Sequence, residues 1–135
     1  MKILIVEDNK NRITYFRNEL KGHSVVVCRH AKVAKKALRK DQFDLILLDH
    51  DLQGKPADPE SENCGSEVAR IMVKRGVKYG AVILHTENEV GRESMDAILG
   101  GCFIFPYSKI RKMGMRAVLK VVGDLGGERS SVDHS

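Results

Sequence analysis

Apolar residues alternate between two patterns along this chain. Short unbroken runs, Ile3-Leu4-Ile5-Val6, Val25-Val26-Val27, Leu45-Ile46-Leu47-Leu48 and Ala81-Val82-Ile83-Leu84, stand apart from stretches where apolar positions recur every three or four residues. Four apolar residues in a row are too few for a helix and fit a strand buried on both faces. Ile13, Phe16 and Leu20 have helical spacing, as do Val33, Ala34, Ala37 and Leu38, then Val68, Ala69, Met72 and Val73, and last Met115, Val118, Leu119 and Val122. The pattern predicts strands over 2–6, 24–28, the stretch opening at Phe43, 81–85 and 102–105. Helices are predicted over 11–20, 31–40 and 66–75, after Gly91 (with Met95, Ile98 and Leu99 inward), and over 109–125. Strands alternating with helices require parallel pairing and right-handed crossovers, so helices cover both faces of one sheet. The expected fold class is α/β, a doubly wound five-stranded parallel sheet in the order 2-1-3-4-5.

At 135 residues the chain fits one domain, expected over 1–125 with a polar tail over 126–135. No apolar run approaches the roughly 20 residues that span a bilayer. Met1-Lys2-Ile3-Leu4 enters a strand without signal-peptide anatomy, and Cys28, Cys64 and Cys102 show no CxxC pairing. A cytoplasmic protein with reduced thiols is therefore expected. The net charge of +5 is uneven, with basic runs at Lys32–Lys40 and Lys109–Lys120. Such runs are usually solvated helix faces; the other reading is a polyanion partner, nucleic acid above all.

The chemistry gathers at strand ends. The first strand stops on Glu7-Asp8, the third on Asp49-His50-Asp51, and the fourth on His85-Thr86-Glu87-Asn88. Open α/β sheets bind ligands at the carboxyl ends of their strands, and the order 2-1-3 makes the first and third neighbours. Glu7, Asp8, Asp49 and Asp51 then converge, and crowded carboxylates call for a cation, with Mg²⁺ or Mn²⁺ the expected ion. His50 and His85 could flank a phosphoester as base and acid, serve as ligands for a softer ion such as Zn²⁺ or Mn²⁺, or simply be hydrogen-bonded scaffold. Arg92, near Gly91 at a helix start, could clamp a phosphate or pair with Glu89 or Glu93. The irregular segment 53–65 begins beside Asp51 and is placed to act as a lid.

These residues resemble the receiver domain of two-component response regulators, with its flavodoxin-like fold. The resemblance implies that Glu7 and Asp8 hold Mg²⁺, that Asp49 accepts a phosphoryl group and that Thr86 contacts it. It also leads one to expect a lysine before the proline that closes the fifth strand; Phe105 stands there, and Lys109 lies beyond the turn. Leu48-Asp49-His50-Asp51-Leu52, His85-Thr86-Glu87-Asn88, Val90-Gly91-Arg92-Glu93 and Arg12 are similar to a divergent branch, the cyclic-phosphate-processing receiver-like family. That branch implies a metal-dependent phosphoesterase, with Asp49, His50 and His85 catalytic and Thr86, Asn88 and Arg92 on the phosphate. Its partner would be a phosphorylated small molecule or an RNA end. The alternatives are a stand-alone receiver phosphorylated on Asp49 by a histidine kinase, and a pseudo-receiver that only binds.

Overall fold

The computed structural model describes residues 1–133, with side chains through residue 125. The elements in chain order are β1 (Lys2–Val6), α1 (Lys10–Glu19), β2 (Ser24–Cys28), α2 (Ala31–Lys40), β3 (Phe43–Leu48) and α3 (Gly65–Arg75). Then follow β4 (Tyr79–Leu84), α4 (Glu89–Leu99), β5 (Phe103–Ile104), α5 (Tyr107–Met113) and α6 (Met115–Asp133). The five strands form one parallel sheet in the order β2-β1-β3-β4-β5, as the alternation of patterns predicts.

Alternation along each strand divides the core in two. Leu4, Val6, Ile46, Leu48, Val82 and Leu84 face α2, α3 and α4, where Ala34, Leu38, Val68 and Met72 meet them. Ile3, Ile5, Leu45, Leu47 and Ile83 face the other way, against Phe16, Leu20, Ile110, Met115 and Val118 of α1, α5 and α6. Strand ends are in register: Val6 pairs Leu48, which pairs Leu84. The ladder runs one step further, with the Asp49 N–H donating to the Val6 carbonyl (3.0 Å) and the His85 N–H to the Leu48 carbonyl (3.2 Å). Glu7, Asp49 and His85 thus stand side by side at the carboxyl edge.

Four elements depart most from the expected bounds. β4 opens two residues early, at Tyr79, and stops at Leu84, one residue before His85. The last helix is two helices, broken at Gly114, whose φ of 87° suits glycine and ends α5. β5 is two residues long; the Phe105 N–H still donates to the Leu84 carbonyl (3.1 Å), but Pro106 has no N–H with which to continue the ladder. α4 begins at Glu89, since the Asn88 side chain caps it by accepting from the Gly91 N–H (3.1 Å). Of the expected tail 126–135, α6 extends to Asp133, and residues 134–135 lie outside the described residues.

Candidate functional site

Glu7 is fully buried and both its oxygens are occupied. Oε2 accepts from the backbone N–H groups of Asp8 (3.0 Å) and Asn9 (3.2 Å), and Oε1 from His85 Nε2 (3.0 Å), with Arg12 Nη1 at 3.7 Å. Asn9 then caps α1, its Oδ1 accepting from the N–H groups of Asn11 and Arg12. This cap turns the chain sharply after β1 and sets Arg12 over the carboxylates. The Arg12 guanidinium also lies 4.6 Å from the centre of the Tyr107 ring, which holds it in place.

Glu7, Asp49 and His85 each present one ligand atom within 4.8 Å of the others, so the three could hold one ion. Asp49 is 4 % exposed. Burial, and then the neighbouring Glu7 charge, push its carboxyl up to about 7 against the attraction of His85. Burial also raises Glu7, but the hydrogen bond and charge of His85 and the Asn9 N–H outweigh it, so Glu7 lies below the usual carboxylate range. Asp8, partly buried and beside Glu7, is raised despite the Gly54 N–H on its Oδ2 (2.8 Å). With Asp49 pushed up to about 7 beside Glu7, the pocket is short of positive charge. The His85 ring is steered by packing, edge-on to Phe16 at 5.2 Å between centroids, and its Nδ1 has no hydrogen-bond partner.

Glu7, Asp8 and Asp49 open on a cavity of about 200 Å³, and His85 stands behind them, fully buried and outside the lining. Five carboxylates line it (Glu7, Asp8, Asp49, Asp51 and Glu87), against two cations, Arg12 and Lys55. Thr86 lines it too, its Oγ1 accepting from the Asn88 N–H (3.0 Å). The 53–65 segment supplies one wall through Gly54, Lys55 and Pro56. It is a strapped loop: an antiparallel bridge joins Asp51 to Cys64 at its base, and Arg70 donates to the carbonyls of Pro59 (2.8 Å) and Ser61 (3.3 Å).

His50 does not line the cavity. It follows Ile46 and Leu48 in the alternation, so its ring points to the α3/α4 side, fully buried. There Nδ1 meets Asp51 Oδ1 (3.1 Å) and Nε2 meets Ser66 Oγ (3.0 Å), which in turn meets Ser94 Oγ (2.7 Å). Burial lowers the proton affinity of this imidazole, but Cys64 and Asp51 more than reverse that and leave it raised. Gly91 makes room for the ring, since a Cβ there would sit 2.3 Å from His50 Cγ. The expectation of two imidazoles flanking one phosphoester is therefore not met: the two rings leave the sheet on opposite faces.

Asn88 and Arg92 do not line the cavity either. Asn88 Nδ2 donates to Asp51 Oδ1 (3.0 Å) while its Oδ1 caps α4, and Arg92 lies 3.6 Å from Glu89. With the Ala57 N–H (3.0 Å), Asp51 Oδ1 thus meets three partners and is fixed as part of the wall. The cations at the cavity are Arg12, singled out in the sequence only by resemblance, and Lys55, which nothing in the sequence marked. At the position where a lysine is expected, Phe105 packs in the core, and Lys109 Nζ sits 5.5 Å from the centre of its ring.

Residues 2–101 match the family described as the cyclic-phosphate processing receiver domain. The chain belongs to this family. Solved structures with the same fold are receivers of response regulators. The N-terminal domain of a response regulator/sensory box/GGDEF three-domain protein from Carboxydothermus hydrogenoformans is 21% identical with a TM-score of 0.67, each chain covered fully. TrrA from Thermotoga maritima, solved with Mg²⁺ and BeF, is 21% identical with a TM-score of 0.60, over 86% of this chain and 97% of that one. The Mn²⁺-bound form of response regulator Rcp1 is 22% identical with a TM-score of 0.56, over 76% of this receiver and 78% of that one. No curated protein matches this receiver significantly. Among the described residues no helix is long and apolar enough to cross a membrane.

Proposed function

We propose that this receiver processes a phosphoester, a cyclic or terminal phosphate on a small molecule or an RNA end, with the help of a divalent cation. The observation that carries this reading is the buried Glu7–Asp49–His85 cluster, whose two carboxylates line a cavity with Arg12 and Lys55 as its cations. The donor set fits an ion: two carboxylates and an imidazole in mutual reach, with Asp8 beside them. A bound divalent ion would supply Lewis-acid polarisation of the phosphoryl oxygens. Imidazole suits Mn²⁺ or Zn²⁺ better than Mg²⁺, so Mn²⁺ should bind more tightly than Mg²⁺.

The chain's own residues would do the rest. Arg12, stacked on Tyr107, holds a phosphate by its guanidinium, with Lys55 as a second point charge from the loop. The Thr86 hydroxyl donates to a phosphoryl oxygen. Asp51, anchored at Oδ1 by Asn88, Ala57 and His50, offers its other oxygen to orient an attacking water. His50 thus serves as a positioning residue and His85 as a ligand.

Hydrolysis of a 2′,3′-cyclic nucleotide, assayed in EDTA and with Mg²⁺, Mn²⁺ or Zn²⁺, tests this. Turnover should require metal; Arg12→Ala should raise KM more than it lowers kcat, and His85→Ala should cost the Mn²⁺ preference. No turnover with any of the three ions would overturn the reading. A second reading, phosphorylation of Asp49 by a histidine kinase, is favoured by Asp49 and Thr86 lining one cavity. Rapid stoichiometric modification of Asp49 by acetyl phosphate would put that reading first.

A further inference from the structure

At the opposite edge of the sheet α2 and α3 end side by side. Between their last turns and the segment leading into β4 lies a cavity of about 480 Å³, larger than the one above Asp49. Arg39 and Lys40 line it from α2, Arg75 from α3 and Lys78 from the approach to β4, over an apolar floor of Leu38 and Val77. Its only acid, Asp41, is bound to Lys2 Nζ at 3.0 Å. Among the described residues none of the four cations has a carboxylate partner.

Basic residues in the last turn of a helix usually answer the helix dipole. That explains Arg39, Lys40 and Arg75 one at a time, but not Lys78, which belongs to no helix, nor the convergence of all four on one concave surface. Two helix ends offset roughly one unit of charge between them, which leaves the cavity positive. A second cavity of about 270 Å³ adjoins it, sharing Gln42 and Lys78, and is lined by Tyr79, 37% exposed.

We propose that this cleft binds the phosphate backbone of a single-stranded nucleic acid, with Tyr79 as the stacking surface for one base. Arginine forks match phosphate oxygens bidentately, and an aromatic face beside a basic groove is how single strands are held without sequence preference. The volume suits a ligand of nucleotide size. An acidic peptide would satisfy the cations but leave the Tyr79 ring unused. The site is remote from Asp49 and needs neither metal nor phosphoester chemistry there.

Fluorescence anisotropy of a short labelled single strand, RNA or DNA, titrated with the full chain in EDTA, tests it. The logarithm of affinity should fall with that of salt at a slope of about −3 for four phosphates neutralised, at ~0.7 each. The double substitution Arg75→Gln, Lys78→Gln should flatten the slope by ~1.4 and weaken binding roughly 10- to 30-fold at 0.1 M salt. Lys112→Gln with Lys120→Gln, the same loss of charge elsewhere, should change neither, and Tyr79→Leu should weaken the strand but not inorganic tripolyphosphate. Binding that survives Arg75→Gln, Lys78→Gln would overturn the site. Equal binding of tripolyphosphate or of polyglutamate would overturn the nucleic-acid assignment. Asp49→Asn should leave strand binding intact, so failure of the phosphoesterase reading does not carry over.

Discussion

Single positions at the strand ends decide the chemistry through the period of two. Glu7, Asp49 and His85 are the next odd-numbered residues after Ile5, Leu47 and Ile83, and so leave the sheet on the α1/α5 side. His50 is the next even-numbered residue after Leu48, and so leaves on the other. Asp49 bears most of the electrostatic cost. Its carboxyl rises from the ordinary 3.8 to about 7, so the native state holds that proton more tightly than the unfolded chain does. In the metal-free protein its contribution is therefore fully present only below the ordinary 3.8 and is lost as pH rises through about 7. Asp49→Asn, which cannot ionise, should be more stable than wild type at pH 8 in EDTA by up to ~4 kcal/mol, at about 1.4 kcal/mol per tenfold change in proton affinity. The two proteins should melt alike at pH 3, below the ordinary 3.8. Thermal melts across pH check this, and equal stability at pH 8 would refute it. The carboxylate cluster was legible because buried parallel strands announce their ends. The parting of His50 and His85 is legible too, by counting from Leu48 and Leu84, because adjacency at a strand edge is not convergence on one face. Lys55 could not be read: its loop has no period to say which way a side chain points.

Elements meet at this edge through close contacts that glycine permits. A Cβ on Gly65 would lie 2.2 Å from the Asp49 carbonyl oxygen, and one on Gly91 would lie 2.4 Å from His50 Nδ1. The first turns of α3 and α4 are thereby pressed against the backbone and side chain that follow β3. His50, Ser66, Ser94, Asn88 and Asp51 then join by hydrogen bonds behind the cavity wall. Gly91→Ala should push the His50 ring off Asp51, at a cost of roughly 1–3 kcal/mol from overpacking. Gly76→Ala, open but at a φ of +61°, should cost about as much through backbone strain without touching the cavity. Metal titration of both variants separates the effects: affinity should fall for Gly91→Ala and hold for Gly76→Ala. Helix periods made α1 to α4 legible, whereas the α5/α6 break at Gly114 was not. Met115, Val118, Leu119 and Val122 keep their spacing after it, and a lone glycine in a helical pattern does not announce a stop.

On the scale of the whole molecule, stability and ion binding are one equilibrium. Five carboxylates around a cavity with two cations strain the metal-free fold, and an ion that binds only the folded chain stabilises it through mass action. At a hundredfold excess over Kd that amounts to ~2.7 kcal/mol. The gain should depend on pH, because a cation on Asp49 must displace the proton held there up to about 7. Well above that value Asp49 is already ionised and the apparent Kd should be flat. Below it Kd should rise at least about tenfold per pH unit, because the Asp49 proton is released for each ion bound. Glu7, held low by His85, adds no proton of its own near neutrality. Titration calorimetry with Mn²⁺ in buffers of different ionisation enthalpy counts the protons directly. It should find at least one released at pH 6 and fewer at pH 8.5. Asp49→Asn should bind more weakly, release about one proton fewer at pH 6 than wild type and lose the metal-induced rise in melting temperature. A wild-type Kd that does not change between pH 6 and 8.5 would mean that the ion does not bind at Asp49, and that Glu7 and His85 serve only to hold each other.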